Sequence, residues 1–338
     1  MALEKVYYEA DAQLEALNES KVGIIGYGIQ GRAQALNLRD SGVDVLVGNR
    51  GDRYVAMATD DGFDVLSVEE VVDKADVLLL LIPDQAHREV YTTIVEPRLR
   101  KGAALVVAHG FSLHFKQIIP RDDLDVLLLA PRMPGGPIRE YYTRGSGIPA
   151  FVDVFQDASG QAWRTLLALA KGMGFTRPGV VHVALRDETE LDLFTEQYLV
   201  PTIMKAIQSG FEALVEAGYP ALPALMELYA SGELGEVLMA AADVGLFQGW
   251  QQNASPTCQF GIASSYAQAL DMDQGAFMKD VIHRIQSGDF VESLRQEGEA
   301  GYAATQAHWA RLNGTLLSST HDELNKLVPF AEARDAGK

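Results

Sequence analysis

The 338-residue chain has a single cysteine, Cys258. One cysteine forms neither an internal disulfide nor a thiolate metal cluster, and the first residues lack a basic stretch followed by an apolar one. We therefore expect a reducing, cytoplasmic location. Long apolar runs are also missing, because runs such as residues 77–82 are far shorter than the roughly 20 residues of a membrane helix. We expect no membrane span.

Basic residues are scarce. Lysine and arginine number 28 against 46 aspartates and glutamates, so the formal net charge is −18. Such a chain repels phosphate backbones, which argues against a nucleic-acid partner. Proline is limited to 13 residues while 48% of the residues are hydrophobic, which excludes global disorder. The length is too great for one ordinary core and predicts two packed units.

Short β-branched and aliphatic runs alternate with amphipathic helical windows in the first half of the chain. This alternation predicts an α/β domain with a Rossmann-type, doubly wound parallel sheet. The runs that we assign to strands are residues 22–25, 43–47, 76–82, 103–107, 126–129 and 150–155.

Long helical windows replace the alternation after residue 189. They are followed by further windows at residues 221–250, 262–285 and 289–312, so the second half is predicted to be all helical. We predict a nucleotide-binding domain over residues 1–185 and a helical domain over residues 186–330 that caps the substrate and builds a dimer interface.

A glycine motif, GYGIQG, follows the first of these strands and opens a helix. In this context Gly26 permits the tight turn, Gly28 lets a pyrophosphate approach the backbone and Gly31 lets helix and sheet pack closely. The motif predicts dinucleotide binding by residues 26–31, which include Tyr27, Ile29 and Gln30; the alternative is a glycine-rich turn without a ligand.

The loop after the second strand bears on the choice between NADPH and NADH. Arg50 and Arg53 are suited to a 2′-phosphate, whereas Asp52 would accept hydrogen bonds from ribose hydroxyls and repel that phosphate. A solvated surface loop is the third interpretation. The carboxylate favours NADH or dual use.

Two further segments follow strands at the carboxyl edge, where open α/β sheets bind their ligands. One is Pro83-Asp84-Gln85 and the other contains His109. The position makes these residues candidates for cofactor contact and catalysis, although a loop histidine is also compatible with plain surface polarity.

Carboxylates recur on one predicted helix. Asp192 and Glu196 are four residues apart and Glu188 lies one turn earlier, so the three share a face. Two hard oxygen ligands on one helix, Asp192 and Glu196, suit Mg²⁺, which commonly takes one or two protein carboxylates and keeps its waters. From spacing alone, a solvated acidic face remains open.

Six motifs occur in one order: GYGIQG at residue 26, AHGF at 108, APRMPG at 130, DASGQ at 157, DETELDLFTEQ at 187 and GFEALVEAGY at 210. With them the chain resembles ketol-acid reductoisomerase of the short, class I type, from residue 6 to beyond residue 290. The DLFTEQ segment at residue 192 is specific, whereas the glycine motif alone is not. The resemblance favours the metal interpretation of the acidic face.

The resemblance implies Mg²⁺-dependent alkyl migration in a 2-hydroxy-3-oxo acid such as 2-acetolactate, then hydride transfer from a nicotinamide. Asp192 would bridge two Mg²⁺ ions, Glu196 would bind one, and Glu227 would bind the other or relay a proton. Ser255 would hold the substrate carboxylate. His109 would lie beside the nicotinamide, and Gly135 would contact the cofactor. Family members knit their helical domains together, so we expect a homodimer or larger.

Some positions depart from the family pattern. Arg132, in the implied catalytic set, stands where the family has lysine, and a planar guanidinium does not simply replace a compact ammonium. Ser231 follows Glu227 where the family has a second glutamate, and Glu233 would rescue that ligand only if the helix breaks between them.

Gln259 and Phe260 replace the family's Glu-Tyr, which bears on substrate scope. Two alternatives follow from these departures. One is a related reductase of a 2-keto acid or imine without isomerase activity, and the other is a non-catalytic dinucleotide sensor.

Overall fold

The computed structural model describes residues 5–270 and 275–327. The chain forms two compact units, Met1–Asp192 and Leu193–Lys338. The sequence analysis placed the division after residue 185, whereas the compact units divide after Asp192. Within the described residues, no helix combines the length and the apolarity needed to cross a membrane.

The first unit is built on a nine-stranded sheet. Its strands are β1 (Val6–Tyr7), β2 (Lys21–Ile25), β3 (Asp44–Gly48), β4 (Val65–Leu66), β5 (Val77–Leu80), β6 (Ala104–Val107), β7 (Asp125–Pro131), β8 (Ala150–Gln156) and β9 (Val180–His182). They lie in the order β1-β9-β8-β7-β6-β5-β2-β3-β4. The predicted α/β fold and its parallel core are confirmed.

Two pairings differ from an all-parallel sheet: β8 is antiparallel to β7 and β1 is antiparallel to β9. The β8 sequence AFVDVFQ alternates buried with partly exposed residues over its first half. That alternation is typical of a strand with one wet face, whereas the fully buried β5 and β6 have continuous apolar sequences. The strand with one wet face therefore lies in the mixed part of the sheet, toward one edge.

Helices cover both faces of the sheet. Those in the first part of the chain are α1 (Ile29–Asp40), α2 (Arg53–Asp60), α3 (Val68–Lys74), α4 (Asp84–Val90), α5 (Glu96–Arg98), α6 (Phe111–His114), α7 (Gly135–Thr143), α8 (Ala162–Gly172) and α9 (Leu185–Phe194). Alternate residues of β5 enter different cores: Leu79 packs with one cluster and Leu78 with the other. Period-two alternation therefore fills two apolar layers from one strand.

The described part of the second unit is helical, as predicted. Its helices are α10 (Val200–Glu216), α11 (Ala221–Leu225), α12 (Glu233–Val244), α13 (Leu246–Asn253), α14 (Pro256–Leu270), α15 (Gly275–Ser287), α16 (Asp289–Glu299), α17 (Ala303–Asn313) and α18 (Leu316–Leu327). Phe211 and Leu225 are fully buried in one cluster. Many large apolar side chains are exposed, including Phe247 at 70% and Phe260 at 75%.

The strand order positions the ligand-binding edge. β2 pairs with β3 on one side and with β5 on the other, so the chain reverses direction across the sheet at β2. In open α/β sheets, ligands bind at such a switch point, outside the carboxyl ends of the strands. The glycine motif starts directly after β2 and therefore lies at that point.

Candidate active site

The glycine loop turns from β2 into α1 with little space on one side. Gly26 has a φ of +97°, and a Cβ there would lie 2.6 Å from the Leu81 carbonyl oxygen. A Cβ on Gly31 would lie 1.9 Å from the Gly26 carbonyl oxygen, so α1 packs directly on the loop. A Cβ on Gly28 would meet nothing within 4 Å. The loop is thus closed toward the sheet and open at Gly28, the side on which a pyrophosphate approaches.

Three residues predicted to contact the cofactor also serve the fold. The Tyr27 side chain is fully buried, with its hydroxyl 2.9 Å from Asp61 Oδ2, so the ring is not available to a ligand. Gln30 donates from Nε2 to the Met133 carbonyl at 3.1 Å. A Cβ on Gly135 would lie 1.9 Å from the Ile29 carbonyl oxygen, so this glycine is required where α7 begins against α1. Ile29 itself is largely exposed.

Asp52 caps the N-terminus of α2. Its Oδ1 accepts from the Tyr54 backbone N–H at 2.9 Å and from Asn49 Nδ2 at 2.8 Å, while Arg50 Nε donates to Oδ2 at 3.1 Å. The Tyr54 N–H and the Arg50 guanidinium lower the pKa of Asp52, which keeps it anionic. Arg53 lies over the Tyr54 ring. The charge predicted to repel a 2′-phosphate is present and has a structural role as well.

His109 lies between two carboxylates. Its Nδ1 is 3.4 Å from Asp84 Oδ2 and its Nε2 is 3.7 Å from Asp192 Oδ2. Burial alone would lower the pKa of His109, but the hydrogen bond with Asp84 and the nearby Glu188 carboxylate raise it to about 9. Nε2 is buried without a hydrogen-bond partner in the described structure. A protonated imidazole therefore points an unused N–H toward Asp192.

Asp84 begins α4, directly after Pro83, while Gln85 is exposed. On the other side of Asp84 lies His87, whose Nε2 is 2.9 Å from the Ile82 carbonyl and whose Nδ1 is 2.8 Å from Ser112 Oγ. Because a carbonyl only accepts, Nε2 carries the proton and Nδ1 accepts from the serine. Burial lowers the pKa of His87, so this second histidine is neutral.

Glu188 is a buried carboxylate of the site. It is 1% exposed, and its Oε2 accepts from the Gly110 backbone N–H at 3.0 Å. Burial raises its pKa, opposed by His109 and by that N–H. A Cβ on Gly110 would lie 2.3 Å from Thr189 Oγ1, so only glycine lets α9 approach this loop.

Arg132 joins the two carboxylates of α9. Its Nη2 donates to Asp192 Oδ1 at 2.8 Å, and its Nη1 lies 3.4 Å from Glu188 Oε1. The guanidinium also lies over the Phe151 ring, 4.9 Å from its centroid. Arg132 follows β7, so the strand order brings it to the edge where His109 follows β6. Residues widely separated in sequence thus form one charged cluster.

The second unit contains the other predicted metal ligands. Glu196 lies in the π-helical turn Thr195–Leu199, and exposed Glu227 lies in the π-helical turn Met226–Ala230. Such turns are rare and are frequently found at functional sites. The prediction that Asp192 and Glu196 share a face assumed α-helical spacing, and a π turn has more residues per turn than an α-helix.

The helix break considered near Glu227 is present. Ser231 ends the π-helical turn, Gly232 is left-handed with a φ of +86°, and α12 begins at Glu233. Glu233 is exposed and its backbone N–H lies 3.4 Å from Ser231 Oγ.

Ser255 lies at the start of α14. It is exposed, and its Oγ accepts from the Cys258 N–H at 3.3 Å. Gln259, one of the departures from the family pattern, donates from Nε2 to the carbonyls of Gln251 at 3.0 Å and Ala254 at 2.9 Å. It therefore holds the loop that presents Ser255. Phe260 is exposed.

Mg²⁺ fits these residues by donor chemistry. The Asp192 carboxylate is partly exposed, and its Oδ2 lies 3.7 Å from His109 Nε2. Over residues 5–270 and 275–327, no group of three or more histidine, cysteine, aspartate or glutamate side chains is arranged to hold a metal ion. One or two carboxylates with retained waters is the usual Mg²⁺ arrangement, and Asp192 offers one such carboxylate.

Comparison with protein-family models gives two adjacent matches. Residues 16–179 match the acetohydroxy acid isomeroreductase NADPH-binding domain, and residues 185–330 match the ketol-acid reductoisomerase C-terminal domain. The chain belongs to the ketol-acid reductoisomerase family. It is an NAD(P)H-dependent oxidoreductase of that type, so the predicted family and enzyme class are confirmed.

Solved structures agree with the family models. An NADH-preferring ketol-acid reductoisomerase from an uncultured archean superposes with a TM-score of 0.90 at 31% identity, covering 96% of this chain and 99% of that one. Two others share the fold alone. A semialdehyde dehydrogenase NAD-binding protein from Cupriavidus necator has a TM-score of 0.58 at 18% identity, covering 79% of this chain and 99% of its own. A pyrroline-5-carboxylate reductase from Coxiella burnetii has a TM-score of 0.57 at 16% identity, covering 80% of this chain and 98% of its own.

Within this reductoisomerase fold, sequence reasoning gave no role to two site residues. Glu188 was placed on the acidic helix face, but its burial against Gly110 was not predicted. The glycine directly after His109 was the one sequence signal that a helix packs closely there. His87 was not considered, and only the Ile82 and Ser112 contacts identify it. Arg132 was recognised as a departure, while its hydrogen bond to Asp192 depends on the fold.

Proposed function

We propose that this chain catalyses Mg²⁺-dependent alkyl migration in 2-acetolactate-type substrates and then reduces the product to the 2,3-dihydroxy acid with NAD(P)H. This reaction belongs to branched-chain amino-acid synthesis. The observation that carries the proposal is the cluster of His109, Arg132, Glu188 and Asp192 beside the glycine loop's edge of the sheet, in a chain of this family. The matched family domains also support a cofactor domain over residues 1–185 and a helical domain over 186–330.

The migration moves an alkyl group with its bonding electrons from C2 to the neighbouring carbonyl carbon. The C2 hydroxyl loses a proton, and the former carbonyl oxygen gains one. Mg²⁺ held by Asp192 and Glu196, with Glu227 as a further ligand, would supply the positive charge that polarises both oxygens.

Protein groups handle the protons and the orientation of the substrate. His109, with its pKa raised to about 9, is protonated at neutral pH, and its Nε2–H would serve as the proton donor to a substrate oxygen bound beside Asp192. Asp84 holds the other ring nitrogen, which fixes the direction of the ring. Arg132 neutralises charge on Glu188 and Asp192, and Ser255 binds the substrate carboxylate.

A bound nicotinamide would supply the hydride that reduces the C2 carbonyl in the second step. Residues 26–31 would hold the pyrophosphate, and Pro83, Asp84, Gln85 and Gly135 would border the remainder of the cofactor. The anionic Asp52 beside Arg50 and Arg53 supports NADH, or NADH together with NADPH, and the NADH preference of the archaeal relative supports the same choice.

We also propose a homodimer or larger assembly in the cytoplasm. The exposed apolar side chains of the helical unit support association, because burying apolar surface against a partner removes it from water and is favourable. The single exposed thiol, Cys258, is compatible with a reducing compartment.

A paired assay tests the proposal. Oxidation of NADH and of NADPH is measured with Mg²⁺ and either 2-acetolactate or 3-hydroxy-3-methyl-2-oxobutanoate, the keto acid formed after migration. Turnover of both acids is expected. Failure of 2-acetolactate with either cofactor would contradict the reductoisomerase activity.

One observation favours a second function, reduction without isomerisation. The Arg132 guanidinium occupies Asp192 Oδ1, an oxygen that a second metal ion would need. Reduction needs one polarised carbonyl, whereas migration needs two polarised oxygens. Turnover of the rearranged keto acid alone would support this alternative.

A further inference from the structure

The glycine loop is anchored at its middle residue. Tyr27 lies between Gly26 and Gly28, two residues that give the backbone unusual conformational freedom. Its N–H donates to Asn49 Oδ1 at 3.1 Å, and its hydroxyl donates to Asp61 Oδ2 at 2.9 Å. The ring between these ends is fully buried and packs edge-on against Phe63. Tyr27 is therefore held at the backbone and at the far end of its side chain.

Asp61 ties this anchor to α1. Arg32 donates to it twice, from Nε to Oδ2 at 2.6 Å and from Nη2 to Oδ1 at 2.9 Å, and Arg39 Nη1 donates to its backbone carbonyl at 2.5 Å. The Arg32 guanidinium lowers the pKa of Asp61, and burial raises the pKa of Tyr27, so the carboxylate stays an acceptor and the phenol a donor. Hydrogen bonds to a charged partner are the stronger kind.

We propose that Asp61, through the Tyr27 hydroxyl, is a positioning residue that sets the glycine loop in its pyrophosphate-binding shape. This rests on the proposed cofactor site at residues 26–31. The side chain itself lies at the end of α2, where it bonds Tyr27 and Arg32 and has no part in the chemistry. Asp61 acts by raising the fraction of molecules in which the glycine loop has the pyrophosphate-binding shape.

The loop flanked by two glycines has many conformations, and only those that point the N–H groups at Gly28 and Ile29 outward bind a pyrophosphate. The apparent dissociation constant rises as the fraction in the competent shape falls. Loss of the Tyr27 hydroxyl bond therefore weakens binding of the pyrophosphate and leaves binding of the adenosine part unchanged. Tyr27→Phe removes this bond but keeps the ring packing and the Arg32 pair.

The test compares two probes on the full chain: ADP-ribose, which contains the pyrophosphate, and adenosine, which does not. Ligand-observed NMR gives dissociation constants up to the millimolar range for wild type, Tyr27→Phe and Asp61→Asn. Asp60→Asn is the matched control, because Asp60 is an exposed neighbour at the end of α2. A thermal scan establishes that each variant is folded.

We expect Tyr27→Phe and Asp61→Asn to weaken ADP-ribose binding roughly 5- to 20-fold and adenosine binding by less than about twofold. The KM for the nicotinamide cofactor should rise likewise while kcat changes by less than about twofold. Unchanged ADP-ribose binding in folded Tyr27→Phe would overturn the positioning role, and so would equal weakening of both probes. Wild type that fails to bind ADP-ribose would instead overturn the cofactor site itself.

Discussion

Arg132 donates from Nη2 to Oδ1 of Asp192 at 2.8 Å. A permanent positive charge therefore lies directly beside the carboxylate at the centre of the site. The same guanidinium lies 3.4 Å from Glu188 and over the ring of Phe151. Three contacts fix its plane. The lysine found at this position in the family would make a single-point contact and leave the carboxylate more accessible.

Replacing Arg132 by lysine should therefore strengthen Mg²⁺ binding. We expect the half-saturating Mg²⁺ concentration to fall roughly 3- to 10-fold, because a compact ammonium competes less well for the Asp192 oxygen. Turnover of 2-acetolactate should rise relative to turnover of the rearranged keto acid. Arg144→Lys, an exposed arginine paired with Glu140, is the control. An unchanged or weaker Mg²⁺ response in Arg132→Lys would contradict the competition.

Asp52→Asn should shift cofactor preference toward NADPH. Asparagine keeps the oxygen that caps α2, so the helix is retained, but it removes the charge that repels a 2′-phosphate. The ratio of kcat/KM for NADPH over NADH should rise roughly 5- to 10-fold. Asp64→Asn, on the exposed segment before β4, should leave the ratio unchanged. A preference equal to that of wild type would show that Asp52 acts only as a helix cap.

His109→Gln should lower kcat roughly 100-fold, as expected when a positioned proton donor is lost. Binding of NADH should be retained, because the glycine loop does not depend on this ring. His308→Gln, at an exposed position of α17, serves as the control. Steady-state kinetics and cofactor titration measure the two effects. Turnover within about threefold of wild type would remove His109 from the mechanism.

In Asp61→Asn, the free energy of unfolding should fall less steeply than in wild type as the pH is lowered. The folded pKa of Asp61 is lowered, chiefly by the Arg32 hydrogen bond, so the unfolded state binds the proton more tightly. Its contribution is fully present above the unfolded pKa of about 3.9 and is lost as pH falls through the folded pKa. At neutral pH the variant should lose about 1–2 kcal/mol of unfolding free energy.

Urea unfolding at several pH values measures this difference. The gap between wild type and Asp61→Asn should stay constant from neutral pH to about pH 5 and shrink below it. Asp60→Asn should track wild type. A gap that widened in acid would have the wrong sign for a carboxylate with a lowered pKa.

The helical unit should associate. Phe247 and Phe260 are two of many large exposed apolar side chains, and burial of apolar surface is the main driving force of association. Sedimentation velocity at micromolar concentration should show a dimer or larger species in 0.1 M and in 1 M NaCl, because salt screens charges and not apolar contacts. A monomer at both salt concentrations would refute this prediction.

Local signals predicted much of the first unit. α1 begins at Ile29, inside the glycine motif that was predicted to open a helix, and Ser67 and Glu70 form a reciprocal cap at the start of α3. β1, β4 and β9 were missed, since strands of two or three residues have too little sequence for a period to show. The antiparallel direction of β8 was missed as well, because alternation alone does not state which way a strand runs.

The sequence by itself determined the glycine turn, the alternation of strands and helices, and the presence of carboxylates on α9. These depend on residues a few positions apart, whose geometry the backbone sets locally. Only the tertiary structure decided that Glu188 is buried against Gly110, that Arg132 bonds Asp192 and that Asp61 bonds Tyr27. Those partners are 78, 60 and 34 residues apart. They meet because the strand order and the packing of helices on the sheet bring distant segments together, and no local pattern encodes that packing.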